Sequence, residues 1–96
     1  MKLRCLGSGS SGNCYILENA SEALIIEAGV RFKDVKIALD FNVSKIVGVV
    51  ISHSHGDHAK YALEYGKVGI PVIKAYEQYD IKNQLRGLSR FKVYWF

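Results

Sequence analysis

Proline occurs once and cysteine twice in this chain of 96 residues. A single proline, with 49% hydrophobic and 23% charged residues, excludes the composition of a disordered chain, which has too little apolar surface to offset the entropy of ordering. Two cysteines, Cys5 and Cys14, exclude a disulfide framework. Both fall in predicted strands and are expected as reduced core thiols, with a cysteine ligand or redox pair as the minor reading. No apolar stretch approaches the roughly 20 residues that a membrane helix needs. The apolar part of residues 1–7 is too short for a secretion signal, so a cytoplasmic protein is expected. Internal repeats, linkers and dense Lys/Arg clusters are also lacking. The length fits one small domain, and a domain of this size buries only about two-thirds of its unfolded surface, so the core is modest.

The formal charge is +4, and it is unevenly spread: residues 1–52 carry 6 basic and 5 acidic side chains, residues 53–96 carry 7 and 4. A positive field favours an anionic substrate such as a phosphodiester, although a charge of this size is also ordinary for solubility. Lys60, Lys67, Lys74 and Lys92 are candidates for such attraction, with solvated surface as the commoner fate of lysine.

Strand patterns come first. Lys2–Leu6 reads as a strand, Gly7-Ser8-Gly9-Ser10-Ser11-Gly12 as a flexible turn, and Asn13–Glu18 as a second strand with Cys14 and Ile16 on one face. Ala23–Ile26 is a continuous apolar run suited to a strand covered on both faces. Arg31–Phe41 predicts a helix, with Phe32, Val35 and Leu39 at helical spacing. Ile46–Ile51 is the strongest strand, β-branched except at Gly48. A helix follows from Asp57, or the residue before it, through Tyr65, with Gly66 as its stop. Ile70–Ala75 predicts a strand, Tyr76–Leu85 a helix and Phe91–Phe96 a final apolar strand. Strands followed by strand–helix alternation imply a mixed α/β sheet with helices packed on it.

All three histidines lie in one short segment, Ser52-His53-Ser54-His55-Gly56-Asp57-His58. Imidazole nitrogen and carboxylate oxygen suit zinc and similar ions. His53 and His55 are two apart on an extended segment, so both rings can face one way. Asp57 and His58 are adjacent at the mouth of a helix and are expected to diverge. The spacing therefore suits two metals, one at His53 and His55 and one at Asp57 and His58. The motif also follows the end of a buried strand, where sites collect in α/β proteins. The plainer alternatives are a helix-capping Asp57 and a surface or supporting His58.

The run His53-Ser-His55-Gly-Asp57-His58 resembles the H-x-H-x-D-H signature of the metallo-beta-lactamase superfamily. The opening Gly7-Ser-Gly-Ser-Ser-Gly-Asn13-Cys14-Tyr15 is similar to a branch of small cytoplasmic exonuclease-like or cell-wall-associated hydrolases. The segments Glu27-Ala28-Gly29 and Gly48-Val-Val-Ile-Ser52 fit as well. The resemblance implies an αββα sandwich, of which residues 1–96 would be a single partial domain, its N-terminal half. It implies two zinc ions, with manganese or iron as alternatives, bound by His53 and His55 and by Asp57 and His58. Asp57 would also orient the attacking water, and Glu27, where relatives tend to carry Asp, would support the site from behind. Relatives complete the site with a third His, a bridging Asp and a final His. No His follows His58 and no Asp follows Asp80 in this chain.

Metal ions lower the pKa of bound water from about 15.7 toward neutrality and stabilise developing charge. The expected function is thus metal-dependent hydrolysis, of a phosphodiester or nuclease type. With two protein ligands for each ion, against the three usual in catalytic zinc sites, the isolated chain is expected to be weak or inactive. Nucleic acid or another phosphodiester is the expected substrate, and a complementing C-terminal chain or a second copy the expected partner. The alternative is a non-catalytic metal-binding or structural remnant that needs a partner chain.

Overall fold

The computed structural model describes residues 1–76. The predicted helix beyond Tyr76 and the strand Phe91–Phe96 lie outside the described residues. Among the described residues, a five-stranded sheet has the order β1-β2-β3-β4-β5, formed by β1 (Lys2–Gly9), β2 (Gly12–Glu18), β3 (Ala23–Ile26), β4 (Ile46–Ile51) and β5 (Val72–Lys74). The first three strands are antiparallel neighbours, while β4 runs parallel to β3 and β5 runs parallel to β4. Helix α1 (Phe32–Ala38) joins β3 to β4, and α2 (Gly56–Ala59) and α3 (Ala62–Lys67) lie between β4 and β5. A mixed α/β fold is therefore present, as the alternation of patterns implies.

One face of the sheet carries the main core. Cys14, Ile16, Ile25, Val49 and Ile51 pack with Phe32, Val35 and Leu39 of α1 and Tyr65 of α3. The Phe32 and Tyr65 rings meet edge to face at 5.3 Å. The opposite face carries a smaller cluster of Leu24, Val47 and Ile73. Strand alternation would put Val47 beside Val49. Instead Ala23 pairs with Ile46 and Leu24 with Gly48, so Val47 is an extra residue, a bulge that turns its side chain to the Leu24 face.

Several boundaries differ from the sequence pattern for identifiable reasons. The glycine-serine run is not a loose turn: β1 continues to Gly9, which pairs with Gly12 across Ser10 and Ser11. Cys14 is buried but Cys5, on the edge strand, is exposed, so only one of the two thiols belongs to the core. Helix α1 ends at Ala38, because Asp40 and Phe41 adopt left-handed φ values of 52° and 62°. The Phe41 amide then donates to the Lys36 carbonyl at 2.7 Å, closing the helix end. The start of α1 has no side-chain cap of its own. Glu64 of α3 supplies one, accepting from the Phe32 amide at 3.0 Å while it pairs with Arg31.

The helix expected from Asp57 through Tyr65 is broken at Lys60 and Tyr61, and Gly66 lies inside α3 rather than stopping it. The loop after β3 causes the break. The Ala28 amide donates to the His58 carbonyl at 2.6 Å, and the Ala28 carbonyl accepts from the Tyr61 amide at 2.9 Å. These are groups that a continuous helix would have paired internally. Gly29 completes the junction. A Cβ there would lie 2.1 Å from the Asp57 carbonyl oxygen and 2.4 Å from the Asn13 nitrogen, so only glycine lets the three backbones meet.

At the other end of the sheet, Glu18 is buried and accepts from Arg4 at 2.6 and 2.8 Å and from Lys45 at 3.1 Å. Burial opposes its ionisation, but the donors outweigh it and hold the carboxyl below its ordinary value.

Candidate metal centre

The parallel strands β3 and β4 end together, because Ile26 pairs with Val50. Glu27 therefore emerges beside Ser52 and His53 at the C-terminal edge of the sheet, where α/β proteins place their sites. Glu27 has φ of 71°, a left-handed conformation that costs a side-chain-bearing residue about 1–2 kcal/mol. Its amide still donates to the Val50 carbonyl at 2.7 Å, so the strand's bonding is kept while the side chain is turned into the site.

The buried Glu27 carboxylate organises the histidine segment. Oε1 accepts from the Ser52 amide at 2.7 Å. Oε2 accepts from the Ser52 hydroxyl and from His58 Nδ1, the latter at 2.5 Å. Burial alone would raise this carboxyl's pKa, yet the hydrogen bonds from Ser52 and His58 lower it below the ordinary value. An ionised Glu27 can only accept, so His58 must carry its proton on Nδ1. Ser52 has one hydroxyl proton, given to Glu27, so its oxygen accepts from His53 Nδ1 at 2.7 Å. His53 Nδ1 is thereby a donor as well, so in the neutral form of each ring Nε2 keeps its lone pair.

Glu27, His53 and His58 present ligand atoms that all lie within 4.8 Å of one another. The His53 and His58 ring centroids are 4.7 Å apart, against 6.5 Å for His53 and His55. The described geometry thus brings His53 to His58 more closely than to His55, its neighbour by spacing. Asp57 and His58 do not diverge: His58 Nε2 lies 3.5 Å from Asp57 Oδ2. With Nδ1 of His58 protonated, these two atoms are both acceptors, and a cation between them would satisfy both. His55 is exposed at the start of α2, where its carbonyl accepts from the His58 and Ala59 amides at 3.0 and 2.9 Å. Glu64 lies away from this group, engaged with Phe32 and Arg31. The residue chemistry fits a metal ion: imidazole nitrogens held by a carboxylate from behind, with a second carboxylate alongside.

Two participants carried no individual signal in the sequence. Ser52 belongs to the motif segment, but its bridging role depends on Glu27, which stands 25 residues earlier. Asn13 closes the glycine-serine run, yet its amide reaches the Asp57 carboxylate 44 residues later, at 3.2 Å.

A strand-end cluster of imidazoles and carboxylates on a mixed α/β sheet forms a candidate metal site. The chain belongs to the metallo-beta-lactamase superfamily, whose family model matches residues 7–88. It is 29% identical over 86 residues to the exodeoxyribonuclease YycJ of Bacillus anthracis, a match covering 85% of this chain and 33% of that protein. It is 33% identical over 60 residues to the exodeoxyribonuclease WalJ of Streptococcus pneumoniae, covering 59% of this chain and 22% of that one. The chain thus spans a third or less of the length of these curated relatives. Among solved structures, TMB-1 superimposes with a TM-score of 0.53 at 20% identity, over 75% of this chain and 35% of that one. The metallo-beta-lactamase FIM-1 of Pseudomonas aeruginosa, in its mono-zinc form, gives 0.51 at 18% identity, over 76% and 34%. These two likenesses establish the fold. No helix among the described residues is long and apolar enough to cross a membrane.

Proposed function

We propose that residues 1–96 form one partial metallo-beta-lactamase domain that contributes a zinc-binding half-site to phosphodiester hydrolysis in nucleic acid. The observation that carries this reading is the chain from His53 through Ser52 and Glu27 to His58, which occupies both Nδ1 atoms and leaves Nε2 of each neutral ring as an acceptor. His53, His55, Asp57 and His58 are the proposed ligands, Asp57 also orients the attacking water, and Glu27 fixes the rings from behind. A bound ion would lower the pKa of its water and supply positive charge to the attacked centre. Exodeoxyribonuclease relatives and the positive excess of residues 53–96 both favour a nucleic-acid substrate.

The four proposed ligands divide to two for each ion of a two-metal site, below the usual three of catalytic zinc. Residues 1–96 alone would therefore bind metal but turn over little, and the remaining ligands must come from outside them. A competing arrangement has an imidazolium His58 donating to Glu27 at 2.5 Å and lying within ion-pair distance of Asp57, at 3.5 Å. The test compares the purified chain with its His55→Ala variant, with zinc or manganese, for metal content after mild dialysis and for cleavage of single-stranded DNA and a chromogenic phosphodiester. Metal retention with little cleavage is expected. A metal content near zero would refute the metal centre, and strong metal-dependent turnover by the chain alone would refute the half-site.

A further inference from the structure

Asn13 reaches the metal centre from the base of the β1–β2 hairpin. Its Nδ2 faces the Gly9 carbonyl at 3.1 Å, the Asp57 carbonyl at 3.2 Å and Asp57 Oδ2 at 3.2 Å. The two amide protons are thus fully engaged, one of them shared. The Asn13 backbone is fixed in turn, its carbonyl accepting from the Gly29 amide at 2.9 Å. Gly29 packs so tightly between Asn13 and Asp57 that no side chain fits there. The half-buried amide therefore cannot move independently of the loop that carries Asp57.

We propose that Asn13 is a positioning residue for Asp57, its amide holding the carboxylate by Oδ2 in the orientation that meets the metal and its water. This rests on the assignment of Asp57 as a metal ligand. The chemistry explains why an amide stands here. A free carboxylate rotates about its terminal bond, whereas an anchor on Oδ2 fixes its plane and leaves the second lone pair of Oδ2, the oxygen facing His58 Nε2, and Oδ1 in set directions. A lysine or arginine would anchor it too, but its charge would repel the cation that the carboxylate is there to bind. A neutral donor fixes the group without competing for its charge. Asn13 also ties the Gly9 carbonyl to the same amide, so the hairpin and the Asp57 carboxylate are held as one unit.

Cobalt(II) binding, read from the visible absorption of the metal and its affinity, tests this on the full chain. Wild type, Asn13→Ala, Asp57→Ala and the double variant are titrated after circular dichroism has checked their fold. Loss of an outer partner of a metal ligand typically weakens affinity about 10- to 100-fold, and that loss is expected for Asn13→Ala. In the Asp57→Ala background the same substitution should cost nothing further. An unchanged affinity in Asn13→Ala, or an equal loss with Asp57 already removed, overturns the proposal. If wild type binds cobalt but Asn13→Ala binds it equally well, Asn13 alone is misassigned; if wild type binds none, the metal centre itself falls and this role with it. Should Asn13→Ala fail to fold, the side-chain amide protons of Asn13 are followed by NMR in wild type and Asp57→Ala. They are expected to shift and exchange faster once the carboxylate is gone, and unchanged signals overturn the proposal.

Discussion

Replacing Glu27 by glutamine preserves the shape of the side chain and removes the one property on which the site is built, an acceptor at both oxygens. In the native site Oε2 takes protons from the Ser52 hydroxyl and His58 Nδ1, and Oε1 takes one from the Ser52 amide. The amide oxygen of Glu27→Gln keeps its bond to the Ser52 amide only by placing its NH2 group where Oε2 was. His58 Nδ1 then faces a donor and must give up its proton, which moves to Nε2 and blocks the nitrogen proposed to bind metal. Ser52 must likewise turn its proton away, toward His53, which reverses that ring as well. Removing such a partner weakens metal binding about 10- to 100-fold, and the loss of two charge-assisted bonds costs about 1.5–3 kcal/mol each in a buried setting. The left-handed φ of 71° at Glu27 adds to this, since it loses its compensation. Zinc affinity by chelator competition and stability by urea titration measure the two losses. An affinity within error of wild type, with stability unchanged, would refute the reasoning that Glu27 sets the histidine tautomers.

Two further outcomes follow from groups away from the centre. Glu18→Gln should destabilise the chain by about 1–3 kcal/mol at pH 7, because Arg4 and Lys45 lose a buried acceptor. The native Glu18 pKa is depressed below the ordinary 4.5, so its contribution is present above that value and is lost as pH falls through the depressed one. The difference in urea midpoint between wild type and variant should close in acid and be absent in strong acid; a constant difference at all pH values would contradict the ion-pair account. Burial pushes the Cys14 thiol up to about 12, while Cys5 is exposed. Mass spectrometry after alkylation of the native chain should find adduct at Cys5 alone, with Cys14 reacting only after unfolding. Equal labelling of both would contradict the burial of Cys14 in the core that α1 and α3 cover.

Local pattern was enough wherever a segment's own chemistry decided its structure. Ile46–Ile51 is a strand with the predicted bounds, because a run of β-branched residues has few alternatives. Cys14 and Ile16 occupy the core face by simple alternation. Long-range partners decided the rest. The hairpin absorbs Gly7 to Gly9 into β1 because β2 is there to pair with them. Ala28 breaks a helix more than 25 residues away by bonding His58 and Tyr61, and no helix-breaking residue marks the spot. The cluster of three histidines marked the candidate metal site in the sequence, but its internal arrangement did not follow from spacing. Which rings meet, and which nitrogen each leaves free, depends on the turned backbone at Glu27 and on the two bonds that Ser52 bridges.

Nitrogen-15 NMR of the histidine rings, recorded at neutral pH before and after adding zinc, tests the metal centre most directly. His53 and His58 should both show a proton on Nδ1, and their Nε2 resonances should shift on zinc addition. Ring nitrogens of His53 and His58 that stay unmoved by zinc would contradict the account.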